Sequence, residues 1–218
     1  GGCGGGPGVR EGARVRGGVG RGDQTFVWQS PLRIEWQLFV SGTVERVRTR
    51  GDTAFVVFSL VASGDSGPVV EGRSTFLMGP TGEPLEEVDE PSATTRADSA
   101  TVGGDLPSPR SASRHDLVRY TAATRDWNPI HWDHAAAVEA GLGGVVVHGL
   151  LQSAWLTGVA ATVRPGDRPL QSARYRYTAP LRPARAAVIE GAVGGEAFEL
   201  RLRDGEATTV TGRFEAAS

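Results

Sequence analysis

One apolar segment between two sets of strand-like runs most constrains the fold of this chain. The sequence "VVVHGLLQSAWLTGVAATV", residues 145–163, predicts a helix that begins near His148 and ends before Pro165. Because this helix is apolar nearly all round, we expect it to be buried. An antiparallel sheet wrapped around one central helix, an α+β fold, satisfies this order of elements economically.

Strand-like runs lie on both sides of that helix. They are rich in Val, Phe, Thr and Leu and are broken by turn residues such as Arg-Gly-Asp, Gly-Gly and Asp-Gly. No convincing helix precedes the first of these runs. The predicted strands before the helix are 25–29, which is short, 36–48, 53–62 and 68–78, and those after it are 170–178, 186–193, 196–203 and 206–215.

The composition divides the chain into four parts. Residues 1–23 are about half Gly and predict a flexible tail, because Gly loses the most conformational entropy on folding. Residues 24–78 hold the first strands, and residues 79–112, rich in Pro, Ser, Gly and acidic residues, predict a linker. Residues 113–218 then form a second domain, which opens with a helix.

Composition also excludes several classes of function. The formal net charge of −2 gives no reason to expect nucleic acid or a membrane surface as partner. The chain contains no Lys, which excludes Schiff-base chemistry and a Lys general base. Cys3 is the only cysteine, so an intrachain disulfide is excluded. With no membrane-spanning apolar run and no signal sequence, we expect a cytoplasmic protein.

The short stretch "RDWNPIHWDH", residues 125–134, contains two Asp and two of the four His of the chain. Pro129 stops the preceding helix, so the chain must turn there, and Asp126 and His131 can point into a common space. A carboxylate and a neutral imidazole that face one cavity could hold a water molecule between them, and one of them can take its proton. Asn128 is placed to orient either partner by hydrogen bonding.

The start of the buried helix, "VVHGLL", offers a second feature. The first N–H groups of a helix have no intrahelical acceptor, and Gly149 lets a ligand approach the backbone closely. Such a site stabilises a developing oxyanion, for example a thioester carbonyl that becomes enolate-like. An acid/base pair beside an oxyanion site indicates proton chemistry next to a carbonyl, or addition across a conjugated double bond.

These residues carry a resemblance to a known family. The stretch "RYTAATRDWNPIHWDHAAAVEAGLGGVVVHGLL" resembles the signature of the MaoC-like, (R)-specific enoyl-CoA hydratases, a branch of the hotdog fold. The resemblance covers residues 105–218, and residues 23–78 more loosely resemble the strands of a degenerate N-terminal hotdog in two-domain dehydratases. It implies a double hotdog with a shortened N-terminal half and one active site.

The resemblance implies both a reaction and roles for named residues. An enoyl thioester of CoA or acyl carrier protein would be hydrated to the (R)-3-hydroxyacyl thioester, or the reverse, without a metal, nucleotide or redox cofactor. Asp126 and His131 would be the catalytic pair that binds the water, with Asn128 in support, and the N–H of Gly149 would be the oxyanion donor. Which of Asp126 and His131 acts as the formal base stays open. A homodimer is also compatible with the resemblance.

Some nearby residues also have other interpretations. His131, Asp133 and His134 could be metal ligands, although His-x-Asp-His occurs readily by chance. His148 suits a structural role at a helix start, and it is also a candidate substrate contact. Trp127 and Arg174 are further candidate contacts, and a solvated strand face is the alternative for Arg174.

Two other functions compete with hydration. A hotdog thioesterase would need a carboxylate on the central helix to activate water against the thioester carbonyl, and residues 148–163 contain no Asp or Glu. A non-catalytic partner subunit of a dehydratase is the second alternative, and the intact Asp126/His131 pair argues against it.

Overall fold

The structure, a computed structural model, describes residues 19–79, 83–97 and 109–218. Eight antiparallel strands in these ranges form one sheet, in the order β2 (Phe39–Arg50), β3 (Thr53–Gly64), β4 (Gly67–Met78), β1 (Val19–Trp28), β5 (Leu170–Tyr177), β8 (Ala207–Ala216), β7 (Ala197–Asp204) and β6 (Val188–Gly191). Four strands come from each half of the chain, and β1 joins the halves by pairing with both β4 and β5. The predicted antiparallel sheet is thereby confirmed.

The N-terminal half contributes only strands to the described structure. They are β1 (Val19–Trp28), β2 (Phe39–Arg50), β3 (Thr53–Gly64) and β4 (Gly67–Met78). The three consecutive strands predicted here are confirmed. The first strand is longer than the predicted 25–29, and its first five residues, 19–23, belong to the segment predicted as a flexible tail, which is wrong for them. Pairing with β4, and with β5 at Asp23, stabilises this Gly-containing segment, and local composition does not reveal such pairing.

The C-terminal half contains the helices and the other four strands. The helices are α1 (Arg114–Thr124), α2 (His134–Glu139) and α3 (Gly149–Ala160), and the strands are β5 (Leu170–Tyr177), β6 (Val188–Gly191), β7 (Ala197–Asp204) and β8 (Ala207–Ala216). Ser113 and Asp116 form a reciprocal capping box that starts α1. The predicted order of elements is confirmed, although β6 is shorter than the predicted 186–193.

Helix α3 is the central helix that the sequence predicts. It packs against β5, β7 and β8, and Leu156 and Ala160 are fully buried. The main hydrophobic core therefore lies between α3 and the C-terminal strands, with Phe214, Leu200 and Tyr175 among its largest members. No helix in the part of the chain that the structure describes is long and apolar enough to cross a membrane.

The segment predicted as a linker is partly packed. Residues 83–97 contain no helix or strand, yet the N–H of Leu85 donates to the carbonyl of Gly141 and that of Val88 to the carbonyl of Gly143, both at 2.9 Å. Ala112, at the end of the predicted linker, is buried in the main core. This stretch is therefore held against the second half by its backbone and is not a free tether along the ranges described.

Candidate active site

A tight loop after α1 positions Asp126 and Asn128. Arg125 ends the helix in the left-handed conformation with φ +57°, which turns the chain back. The side chain of Asn128 accepts a hydrogen bond from the N–H of Ile130 at 3.4 Å and caps a short 3-10 turn that spans Pro129–His131. The carboxylate of Asp126 accepts from the N–H of Asn128 at 3.4 Å. Local polar contacts thus fix the loop, as Pro129 and the Asx residues predict.

His131 is buried, and its tautomer follows from one hydrogen bond. Its Nδ1 lies 2.8 Å from the carbonyl oxygen of Val146. Because a carbonyl can only accept, Nδ1 carries the proton and the lone pair of the neutral ring is on Nε2. The ring is therefore oriented by the backbone just before α3, with a free acceptor on its other side.

His148 joins the same cluster from the start of α3. It is the N-cap of that helix, it is only 1% exposed, and its Nε2 lies 3.0 Å from the hydroxyl of Thr121 on α1. Its ring stacks on that of His131 with centroids 3.8 Å apart and an interplanar angle of 22°. The structural role predicted for His148 is therefore present, and the stacking on His131 adds a contact that sequence reasoning missed. The "VHG" signal places His148 at the helix start but does not show the stacking.

The structure brings Asp126, His131 and His148 together. One oxygen or nitrogen atom of each lies within 4.8 Å of those of the other two. A water molecule that makes two hydrogen bonds of about 2.8 Å can bridge groups separated in this way. The arrangement can therefore bind a water molecule between the Asp126 carboxylate and the His131 ring.

Burial keeps both imidazoles neutral. It lowers the pKa of His131, against the opposing effects of the Val146 carbonyl and the Asp126 carboxylate, and the charge of Arg21 lowers it further. The pKa of His148 falls to about 3, mainly through burial and secondarily through His131. At about pH 7 His131 therefore carries its lone pair and can accept a proton.

The burial of His148 predicts how the free energy of unfolding depends on pH. Its pKa is about 3 in the folded protein, against about 6.5 in the unfolded chain. The unfolded state therefore binds the proton first as the pH falls below about 6.5, and this group lowers the free energy of unfolding by about 1.4 kcal/mol per pH unit down to its folded pKa.

Urea denaturation at about pH 7.5 and pH 5.0 should measure this in the wild type and in His148→Gln. We expect the variant to lose about 2 kcal/mol less than the wild type over this interval. An equal loss in both proteins would show that His148 titrates at its ordinary pKa when folded.

Gly149 begins α3 next to His148, and its size matters. A Cβ at this position would lie 2.9 Å from the ring of Tyr177 on β5, closer than such contacts allow. The Tyr177 hydroxyl in turn lies 2.7 Å from the hydroxyl of Ser153, one turn further along α3. The N–H of Gly149, in the first turn, has no acceptor within its own helix and is available to a ligand oxygen.

The remaining candidate residues are exposed or make contacts of their own. Arg174 is exposed on the face of β5 opposite the one on which Ala173 and Tyr175 are buried, which agrees with a solvated strand face, and its role as a substrate contact stays a prediction. Trp127 follows Asp126 but is 61% exposed.

Asp133 caps α2 through the N–H of Ala136, and His134 faces Glu87 at 3.6 Å.

The trio of Asp126, His131 and His148 is near enough to hold a metal ion, unlike the set of His131, Asp133 and His134. The stacked rings argue against that use. Imidazole lone pairs lie in the ring plane, and two nearly parallel rings do not direct them at one point as tetrahedral coordination needs. The geometry suits acid/base chemistry better than metal binding.

Sequence reasoning missed Arg21, which reaches the same region from β1. Its Nη1 donates to the side-chain oxygen of Gln24 at 2.8 Å, and its charge acts on both Asp126 and His131. Its position inside the predicted tail concealed it, because no local pattern marks 19–23 as part of the sheet. The cation comes from the half of the chain that lacks the Asp/His pair.

Comparisons with known proteins identify the family. Residues 88–212 match the family model of the MaoC like domain. The mitochondrial 3-hydroxyacyl-[acyl-carrier-protein] dehydratase of Arabidopsis thaliana is 35% identical over 65 residues, which are 30% of this chain and 39% of that relative. The match thus spans well under half the length of this curated relative.

Solved structures show the same fold. HtdX of Mycobacterium tuberculosis is similar with a TM-score of 0.72 at 20% identity, covering 92% of this chain and 78% of HtdX. The MaoC-like dehydratase of Phytophthora capsici gives 0.69 at 19% identity, covering 95% and 74%. The predicted hotdog fold is confirmed. Because the family model matches more than half of the chain, the protein belongs to the MaoC-like dehydratase family.

Proposed function

We propose that this protein is a hydro-lyase that interconverts trans-2-enoyl and (R)-3-hydroxyacyl thioesters of CoA or acyl carrier protein. The observation that carries the proposal is the approach of the Asp126 carboxylate to the His131 ring within 4.8 Å, beside the start of α3. Membership of the MaoC-like dehydratase family supports the same reaction class.

In the hydration direction, a water molecule lies between Asp126 and His131. The pair removes one proton as the water oxygen forms a bond to the β-carbon of the enoyl group. The electrons of the carbon–carbon double bond move toward the thioester carbonyl, whose oxygen becomes negative and accepts a hydrogen bond from the N–H of Gly149. A proton delivered to the α-carbon from the pair completes the 3-hydroxyacyl thioester, and Asn128 maintains the loop throughout.

Two assays on the same sample test the reaction. With crotonyl-CoA we expect the enoyl absorbance to fall without release of free thiol, and chiral analysis should give the (R)-3-hydroxy product. Thiol release with the enoyl absorbance retained would instead establish a thioesterase. The sequence of α3, "GLLQSAWLTGVA", contains no carboxylate for that reaction.

Removal of divalent metal gives a further prediction. Because the two imidazoles are stacked and do not converge on one point, we expect dialysis against EDTA to leave kcat/KM for crotonyl-CoA unchanged within about twofold. The measurement compares treated enzyme with enzyme supplemented with Zn²⁺ after dialysis. A large loss on chelation that Zn²⁺ restores would assign a metal to the trio.

We also propose that residues 24–78 are the shortened N-terminal half of a double hotdog and that 113–218 form the catalytic half. Four strands without a helix in residues 19–79, and one central helix on the C-terminal strands, support this division. A cytoplasmic location and a homodimer are predictions of the same kind.

A further inference from the structure

A β-bulge directs Arg21 toward the interior of the protein. On β1, Arg21 is opposite Phe76 of β4 and Asp23 is opposite Thr75, so Gly22 between them is left without a partner. Without this extra residue, strict alternation would place Arg21 and Gln24 on opposite faces of the sheet. With it, the two side chains share a face and meet in a hydrogen bond of 2.8 Å.

The side-chain contacts of Arg21 use only the Nη1 end of its guanidinium group. Nη1 donates to Gln24 and lies 3.5 Å from the hydroxyl of Ser74, while the guanidinium carbon lies 4.5 Å from the centroid of the Phe76 ring. Nε and Nη2 have no acceptor among the described residues, and no carboxylate in those ranges is at ion-pair distance. A partly buried cation without a carboxylate at ion-pair distance is unfavourable, and an anion on a ligand would offset that cost.

Strand register places this cation beside the catalytic centre. Asp23 is opposite Arg176 on β5, so the chain from Asp23 back to Arg21 runs toward the end of β5 where Tyr177 lies. The ring of Tyr177 packs directly over Gly149, the proposed oxyanion donor. Burial lowers the pKa of Arg21, and the opposing charge effects of Tyr177, Asp126 and Tyr120 agree with this position.

The position of Arg21 limits what it can bind. The phosphates of CoA or of a carrier-protein arm are separated from the thioester by the whole pantetheine chain, so a cation next to the reacting carbons is too deep for them. The thioester oxygen is a neutral carbonyl before reaction and is served by the helix start. A long alkyl chain beside the guanidinium would remove water from that charge and offer it no hydrogen-bond acceptor, which costs free energy. An anionic group on the acyl chain itself can accept hydrogen bonds from the unused N–H groups at Nε and Nη2 of Arg21.

We propose that Arg21 binds a carboxylate on the acyl group, so that the preferred substrates are enoyl thioesters with a second, free carboxylate. This inference rests on the proposed function for the identity of the reacting thioester. It assigns the N-terminal half a role in substrate selection, because β1 supplies the cation while the loop after α1 and the start of α3 supply the acid/base groups and the oxyanion donor.

Binding of unreactive ligands tests the inference without turnover. Isothermal titration compares saturated acyl-CoA esters of four to eight carbons with their counterparts that end in a carboxylate. For at least one chain length we expect the wild type to bind the carboxylate form about tenfold or more tightly. In Arg21→Gln this preference should fall below about twofold, and Arg21→Lys, a point charge without the planar fork, should keep part of it. Hydration of the matching enoyl-CoA pair should follow the same order.

One control variant tests whether the effect is specific to Arg21. Arg48→Gln removes an exposed charge from β2 in the same half, and its preference should equal that of the wild type. Equal affinity of the wild type for both ligand forms at every length would overturn the inference, and this result needs no variant. Equal loss of affinity for both forms in a folded Arg21→Gln would also overturn it, and would assign Arg21 to the reacting centre. Failure to hydrate any enoyl-CoA would contradict the proposed reaction while the binding result stood.

Discussion

Asp126→Asn should lower kcat/KM for crotonyl-CoA by about 10³-fold or more, with the fold intact. The substitution keeps the shape of the side chain and an oxygen that can accept the hydrogen bond from the N–H of Asn128. It removes the negative charge and the ability to take or hold a proton. Steady-state hydration of crotonyl-CoA measures the effect, and thermal unfolding checks the fold.

The chain offers a matched control for that variant. Asp133 lies in the same motif but accepts a hydrogen bond from the N–H of Ala136 and caps α2, away from the His131 ring. Asp133→Asn keeps a good capping residue, so we expect turnover within about threefold of the wild type. Near-normal turnover in Asp126→Asn would refute the catalytic role of that carboxylate.

His131→Ala should produce a loss of similar size, about 10³-fold in kcat/KM. The variant removes both the acceptor Nε2 and the N–H at Nδ1 that donates a hydrogen bond to the Val146 carbonyl. His134→Ala is the matched control, because His134 faces the exposed Glu87 and lies outside the trio. A His131→Ala protein that turned over normally would contradict the mechanism.

The wild-type pH profile adds a test of His131. In the proposed mechanism the neutral ring is the active form, and burial lowers the pKa of His131 from the ordinary value, which is about 6.5. Activity should therefore persist below about pH 6.5 and fall only as the pH drops through the lowered pKa. This acid limb should be absent from the residual activity of His131→Ala. An acid limb centred at or above about pH 6.5 would show that the ring is not protected as the structure indicates.

The division of the site between the two halves has a consequence for truncation. The Asp/His pair and the helix start all lie in residues 113–218, yet Arg21 reaches them from β1, and β1 also pairs with β5. A chain that lacked the N-terminal strands would lose that cation and expose the edge of β5. The N-terminal strands therefore contribute to the candidate site through the sheet even though they carry no Asp/His pair.

The sequence by itself predicted most of the secondary structure and the residues of the proposed acid/base chemistry. Turn residues and β-branched runs predict most strands, and the apolar segment after His148 predicts the central helix. Pro129 and the spacing of Asp126, Asn128 and His131 predict a rigid loop with an acid/base pair. The predictions of the strands, the helix and the loop succeed because each depends on local periodicity or on a turn that a few neighbouring residues specify, whereas the acid/base role stays a prediction.

Only the tertiary structure decided which distant side chains meet. The stacking of His148 on His131, its contact with Thr121 and the approach of Tyr177 to Gly149 join elements far apart in the chain. The bulge at Gly22 reverses the face of Arg21, and the register of β5 places Arg174 on the exposed face of that strand. A shift of one residue in a strand reverses the face of each side chain, and register depends on pairing partners that local sequence does not reveal.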